Sequence, residues 1–333
     1  MSGHHYNWTY LSVLNEDEKA MQPENGVEYT KCFDQWKAEI AKVNPHVVLI
    51  GPETYYMSGG KRNPGVTSIK FNTYFMTASN HADGKSPPVI SNHNAVGDFD
   101  GFDKWYSEFA LPLEAARQKL APQSECVLNE VVLGVNDWCD TGHKAESCPN
   151  WQDSASQGRA ANRKTLSWNH DATTYAYNFA RLSELGYLYV SSDQLVGGPW
   201  PDNYPSVSSL DWQTGEPNAK YWTVRLLAAV FGKRSRQLVQ ANVSATGTGA
   251  DASASAHAMG FVQDGQKGIL VLSKAADPTV FSVPFAARWE GTLLEGVGAE
   301  PGFTPPRAVH MRGQTEIRVG AYAVLALWEP PKR

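Results

Sequence analysis

Five short apolar runs punctuate the first two thirds of the chain: YLSVLN, HVVLIG, PVISNH, CVLNEV and YLYVSS. Each is bounded by polar or turn residues, the form taken by strands buried on both faces of a parallel sheet. Between them the apolar spacing becomes helical. Tyr29, Cys32, Phe33, Trp36 and Ile40 share one face, as do Tyr175, Phe179 and Leu182, and then Tyr221, Val224, Leu227 and Phe231, with Gly232 as a stop. The stretches Ile69 to Met76 and Phe102 to Leu120 are less regular, and Pro112 interrupts the second. Five strand-and-helix units in a row predict a parallel sheet, either open and doubly wound or closed as a (β/α)8 barrel. An open dinucleotide-binding sheet carries a glycine-rich turn after its first strand, whereas NEDEKAMQPENG follows here, so that reading loses its main support.

From about Lys233 the period changes to two. Short alternating runs (RQLVQANVSA, AHAMGFVQ, GILVLSKA, TVFSVPF, WEGTLLEG, AVHMR and AYAVLALWE) are separated by Gly, Asp, Pro and Lys turns, which predicts a β-sandwich. The expected division is therefore residues 1–232 for the α/β domain and 233–333 for the all-β domain. The Gly, Ala and Ser tract from Ser244 to Ala256 reads as a long hairpin loop.

Composition narrows the classes of function. The net charge is -5 and no cluster of Lys and Arg stands out, which argues against a nucleic-acid surface and favours small neutral ligands. No run of eighteen apolar residues occurs, so no membrane span is expected, and MSGHHYNWTY lacks the regions of a signal peptide. Eleven Trp and fourteen Tyr with only 19% charged residues suit a secreted, carbohydrate-handling protein. Cys139 and Cys148 bracket CDTGHKAESC, either as a disulfide in an oxidising compartment or as two unlinked loop thiols, while Cys32 and Cys126 read as small buried hydrophobes. Asn7 and Asn242 head glycosylation triplets. His4, His5 and His143 lack a metal-ligand spacing, so neither metal nor cofactor is expected.

The candidate chemistry lies at strand ends, because the carboxyl ends of barrel strands form the active face. The first strand ends in Asn15-Glu16, the third in Asn92-His93-Asn94 and the fourth in Asn129-Glu130. Two carboxylates across a barrel mouth are what glycosidic cleavage needs: one protonates the leaving oxygen while the other attacks the anomeric carbon or activates water. Taken singly, each is equally a solvated strand-end carboxylate, and Asp17 and Glu18 compete with Glu16 as the acidic first turn of a helix. Glu125 precedes its apolar run and belongs to the opposite end of the strand. Trp138, Trp151, Trp200 and Trp212 are candidates for stacking on a sugar ring or for packing, and Asp193 and Gln194 for bonding sugar hydroxyls.

These residues resemble those of retaining glycoside hydrolases built on (β/α)8 barrels, in which such strands are the fourth and the seventh. More narrowly, LNEDE, YTKCFDQWKAEIAKVNPHVVLIGPET and VISNHNAVG look like glycoside hydrolase family 39, the β-xylosidases and α-L-iduronidases, over most of residues 8 to 232. The resemblance implies Glu16 as acid/base, Asn15 as a contact to the sugar 2-hydroxyl, Glu130 as nucleophile, His93 as a site residue and a sandwich at the carboxyl end. Asn129 departs from it, since the clan more often has Thr or Ser before the nucleophile. If YLSVLNE is a fourth strand, three earlier strands are missing. The fold expected is then a partial (β/α)8 TIM barrel of about five units followed by a β-sandwich, the carboxyl-terminal part of an enzyme secreted or extracytoplasmic in full-length form. Its expected partners are a carbohydrate and the missing barrel portion. The rival expectations are a non-catalytic carbohydrate-binding remnant and a structural fragment of a longer glycosidase.

Overall fold

The computed structural model describes residues 9–12, 14–15, 26–57, 65–96, 98–133, 168–192, 195, 209–210, 215–232, 237–241, 243–247, 255–275, 277–284, 288–296 and 305–330. They group into two compact units, the first from 1–96, 100–132 and 185–191 and the second from 97–99, 133–184 and 192–333.

The first unit is built on a parallel sheet of β1 (Tyr10–Ser12), β2 (Val48–Met57), β3 (Val89–Val96), β4 (Glu125–Leu133) and β5 (Val190–Ser192), in that spatial order. All five apolar runs are therefore strands, and each lies beside its predecessor, as in a segment of a barrel. Tyr10 pairs with Val48 and Ile50 with Val89. A flat sheet of this width would hold its edge strands about 19 Å apart. The rings of Tyr10 on β1 and Tyr189 beside β5 lie 5.7 Å apart, so the sheet is curled into a half-barrel. Ile50, Val89 and Val127 pack together inside the curl with Val48 and Tyr189.

The outer face is covered by helices. In α1 (Gly26–Val43) only the first two turns are buried, through Tyr29 and Phe33, whereas Trp36, expected on the same face, is 49% exposed. Those two rings meet Phe71 and Phe75 of α2 (Gly65–Met76) edge to face, at centroid distances of 4.9 to 5.5 Å. Gly51 lets β2 approach this aromatic layer, since a Cβ there would lie 2.9 Å from the Tyr29 hydroxyl and 3.2 Å from the Phe33 and Phe75 rings.

The irregular stretch around Pro112 is continuous helix with one inserted turn. After α3 (Phe99–Trp105), residues Tyr106–Ala110 form a π turn in which Leu111 N–H bonds the Tyr106 carbonyl. The shift brings Pro112 into the first turn of α4 (Leu111–Leu120), where a missing N–H breaks no helical bond. Arg117 near the end of α4 donates to both Glu114 oxygens and to the Ser124 carbonyl, fixing the entry to β4. Burial acts to raise the Glu114 carboxyl, but hydrogen bonds from Arg117 and Gln118 and the Arg117 charge outweigh it and hold the group below the ordinary carboxylate range. Cys126 is a free, buried thiol, pushed up to about 12 mainly by burial, and Cys32 is free and half-buried.

The second unit contains a β-sandwich with two helices. One sheet has the order β12 (Arg307–Arg312), β11 (Arg288–Gly296), β14 (Ala321–Trp328), β9 (Gln266–Ser273), β8 (Ala256–Gln263) and β6 (Gln237–Val239). The other has β13 (Glu316–Val319), β10 (Thr279–Ser282) and β7 (Ser244–Gly247), and every pairing in both sheets is antiparallel. The β8–β9 hairpin turns at Asp264-Gly265, whose left-handed φ values of 52° and 75° suit the twist of a two-residue loop. Phe281, Trp289, Leu293, Val309, Met311 and Leu325 fill the space between the sheets. The larger sheet is also covered on its other face by α6 (Ala219–Phe231), with Phe231 against Phe261 at 4.9 Å. That double burial is why β9 and β14 read as apolar runs instead of alternating.

Three expectations are corrected here. Ser244–Gly247, read as part of a loop, is a strand, because pairing with Thr279–Ser282 satisfies its backbone. EIRV, not anticipated as a strand, is β13 on the other side of β10. In α6, capped by Asn218 accepting from Lys220 and Tyr221 N–H, the buried stripe is Lys220, Thr223, Leu226 and Leu227, offset from the predicted face because packing on β11 and β14 contributes to which side is covered. The second helix, α5 (Trp168–Leu185), is tied to the sandwich by Thr173 donating to the Tyr322 carbonyl at 2.7 Å and by Tyr177 against His257. The fold is thus a partial (β/α)8 barrel followed by a β-sandwich.

Candidate active site

Side chains alternate along a strand, so two residues beyond Val89 and Val127 the same inner face carries Ser91 and Asn129. The strand β2 reaches that layer through a bulge. Its register runs Pro52 to Ser91 and Thr54 to Asn92, leaving Glu53 as the extra residue with a left-handed φ of 57°. Glu53 N–H donates to Ser91 Oγ at 3.2 Å, and the Glu53 carboxylate accepts from Asn129 Nδ2 at 2.6 Å. As β3 separates β2 from β4, the Glu53 side chain crosses over Ser91, a position where a bulky residue would block it. Glu53 is 2% exposed. Its charge reaches Tyr189, which burial first, and then Tyr10 and Glu53, push up to about 12, and Tyr29, which burial and then Glu53 push further still.

One step nearer the carboxyl ends stand His93 and Glu130. His93 is fully buried, the Glu130 side chain is 26% exposed, and Nδ1 lies 3.7 Å from the carboxylate Oε2. That separation is too long for a hydrogen bond but within ion-pair range. Behind them Thr54 donates to Asn92 Oδ1 and accepts from Asn72 Nδ2, each at 2.8 Å, which ties β2 to β3 and to α2. Asn92 Nδ2, Asn129 Oδ1 and both amide atoms of Asn94 are buried and make no hydrogen bond. Unpaired buried amides concentrated in one part of a sheet are poor structural elements and good ligand contacts.

Of the predicted residues, the structure brings Glu130 of β4 within 3.7 Å of His93 of β3, with Asn129 preceding Glu130; the strands do not end there as expected, since ladder pairing carries β3 on to Val96 and β4 on to Leu133. Glu125 begins β4 and so stands at the opposite end. Asn15 lies beyond β1 and is exposed. Glu16, Trp138, Trp151, Asp193, Gln194, Trp200 and Trp212 lie outside the described residues, as do Cys139 and Cys148. The residue that sequence reading missed is Glu53. Its signal was available, since LIGPET is one more apolar run closed by a carboxylate.

A partly exposed carboxylate beside a buried imidazole and an amide, toward the carboxyl face of a parallel half-barrel, can act as nucleophile or base toward a polar ligand. No family model matches the chain, and no curated protein matches it. Solved structures do share its fold. A thermostable family 51 α-L-arabinofuranosidase from Thermotoga petrophila aligns with a TM-score of 0.59 and 12% identity over 98% of this chain and 68% of its own. A family 51 α-L-arabinofuranosidase from Bifidobacterium longum gives 0.58 and 13% over 91% of this chain and 63% of its own. A family 44 xyloglucanase from Paenibacillus polymyxa gives 0.56 and 10% over 96% of this chain and 66% of its own. The chain thus spans 63 to 68% of the length of these glycoside hydrolases, and at such identity the likeness is one of fold.

Proposed function

We propose that this chain belongs to a glycoside hydrolase that cleaves O-glycosidic bonds by double displacement, with Glu130 as nucleophile and Glu16 as general acid/base. The observation that carries the reading is Glu130 in the carboxyl-terminal half of β4, partly exposed beside buried His93, in a fold shared with glycoside hydrolases. Glu130 attacks the anomeric carbon while Glu16 protonates the leaving oxygen. Glu16 then takes a proton from the water that releases the glycosyl group. His93 at 3.7 Å supports the orientation and charge of Glu130. Asn15, Asn129 and Asp193 are assigned to sugar hydroxyls and Trp138, Trp200 and Trp212 to ring stacking. This chemistry uses no cofactor. A carboxyl separation of about 5 to 5.5 Å between Glu16 and Glu130 is the geometry that retention requires.

The family 39 likeness and secretion of the full-length enzyme are part of the same proposal. So is a further barrel portion, for which β1 and β5 are the edges where more strands would pair. The boundary after residue 232 is kept as the proposed limit of the catalytic domain. Because the chain spans only 63 to 68% of its structural neighbours, a second reading is a sugar-binding remnant without turnover. A hydrolysis screen with aryl glycosides, paired with glycan binding, separates the two. Glu130→Ala is expected to lower turnover by about 10⁴-fold or more, the scale of losing a nucleophile, without changing the melting temperature. Azide should restore activity with inverted product. Full activity in that variant overturns the assignment, and binding without turnover in the wild type selects the second reading.

A further inference from the structure

We infer that Glu53 is a positioning residue whose buried carboxylate orients the Asn129 amide, so that Asn129 Oδ1 accepts a hydroxyl of a carbohydrate bound beside Glu130. The inference rests on the glycoside reading above and adds a residue to its site.

Asn129 Nδ2 donates to Glu53 Oε1 at 2.6 Å, so the amide nitrogen faces Glu53. Fixing Nδ2 toward β2 turns Oδ1 away from it. That oxygen is buried and accepts no hydrogen bond from the described residues. A buried acceptor without a donor is destabilising, and a donor arriving with a ligand removes the deficit. Hydroxyl groups are donors of the right size, and His93, two residues beyond Ser91 along β3, lies 3.7 Å from the proposed nucleophile, Glu130.

The setting of Glu53 shows how specifically the carboxylate is placed. Left-handed backbone at φ 57° disfavours any residue with a Cβ and is most often occupied by Gly or Asn. A glutamate there, in a bulge and with its own N–H bonded to Ser91 Oγ, is held by the surrounding sheet for what its side chain does. The inner face below it is apolar, with Ile50, Val89 and Val127, so the Glu53–Asn129 bond forms the first polar layer above the barrel floor.

The test uses the full chain with asparagine labelled in ¹⁵N. The Asn129 side-chain signal, assigned by its loss in Asn129→Asp, should exchange with solvent at least about tenfold faster in Glu53→Ala than in the wild type. Glu53→Gln, whose Oε1 still accepts, should keep most of the protection and serves if Glu53→Ala does not fold. Binding is then measured for methyl β-xyloside, methyl β-glucoside and methyl α-arabinofuranoside, each with its monodeoxy analogues. Removing one particular hydroxyl should weaken binding about tenfold in the wild type and less than about twofold in Glu53→Ala and Asn129→Ala. A merely structural role for Glu53 would leave the deoxy penalty unchanged. Equal penalties in wild type and variant, or unchanged amide exchange, overturn the inference. If the wild type binds none of the glycosides while the amide stays protected, the carbohydrate reading fails and the orientation of Asn129 by Glu53 stands.

Discussion

The sandwich and the half-barrel bury different kinds of side chain. Between the sandwich sheets the buried layer is dominated by Ile269, Val271, Phe281, Trp289, Leu293 and Val309, and the buried polar pair there, Ser273 and Thr279, is satisfied by a hydrogen bond from one to the other. In the middle of β2 and β3 the buried residues include Glu53, Thr54, Ser91, Asn92, His93 and Asn94. Burying apolar area is what stabilises a fold, whereas each buried polar group needs its partners simply to break even. The sandwich is therefore optimised for cohesion, and these half-barrel strands hold groups that stability alone does not call for. The contrast sets these buried polar groups apart as a candidate site without reference to any relative.

Four substitutions press on this contrast, most strongly first. Phe281→Ala in the sandwich should cost about 4 kcal/mol, the scale of an emptied aromatic core site, read by urea unfolding. A loss below about 1 kcal/mol would mean that the sandwich core is not the dry, cohesive layer described. Arg117→Ala, at the entry to β4, should cost about 3 kcal/mol by removing the charged partner of a largely buried carboxylate and leaving it the Gln118 amide. Because the folded Glu114 carboxyl is held below its ordinary value, the stability it contributes is full above the unfolded value of about 4.3. It is lost as pH falls through the lowered folded value. The gap between wild type and variant should accordingly be widest near neutrality and close in acid, and a gap that widens below about pH 4 contradicts the pairing.

Thr54→Val tests the polar part of the sheet. It strips the hydroxyl shared by Asn92 and Asn72 and should cost about 2 kcal/mol, since buried amide atoms lose their partner. Asn94→Leu should act in the opposite direction. Both Asn94 amide atoms are buried without a hydrogen bond, so an apolar side chain of similar volume should stabilise by about 1 kcal/mol. A loss of stability there would show that the polar layer is structural after all, and would remove the distinction between the two regions.

Periodicity made much of this legible. Apolar runs marked all five parallel strands, and the change to period two marked the sandwich, because burial on two faces or on one leaves a direct trace in residue order. The pairing of a strand carboxylate with a histidine was also readable, since parallel neighbours bring Glu130 and His93 to the same level of the sheet. Glu53 was readable as a residue but not as a member of the site. Its role depends on a bulge that turns one extra residue inward and on a small Ser91 beneath the crossing side chain.

What the sequence by itself determined is the kind, order and polarity of the elements: which segments are strands or helices, where one architecture gives way to the other, and which strands carry reactive groups. These are local properties, set by a residue and neighbours a few positions away. Only the tertiary structure decided that the π turn admits Pro112, which face of α6 is buried, and that Ser244–Gly247 finds a partner in β10. It alone placed the Glu53 carboxylate on Asn129, 76 residues away along the chain. Each of these depends on what arrives from elsewhere in the chain, and residue order alone carries no record of which distant group will be there.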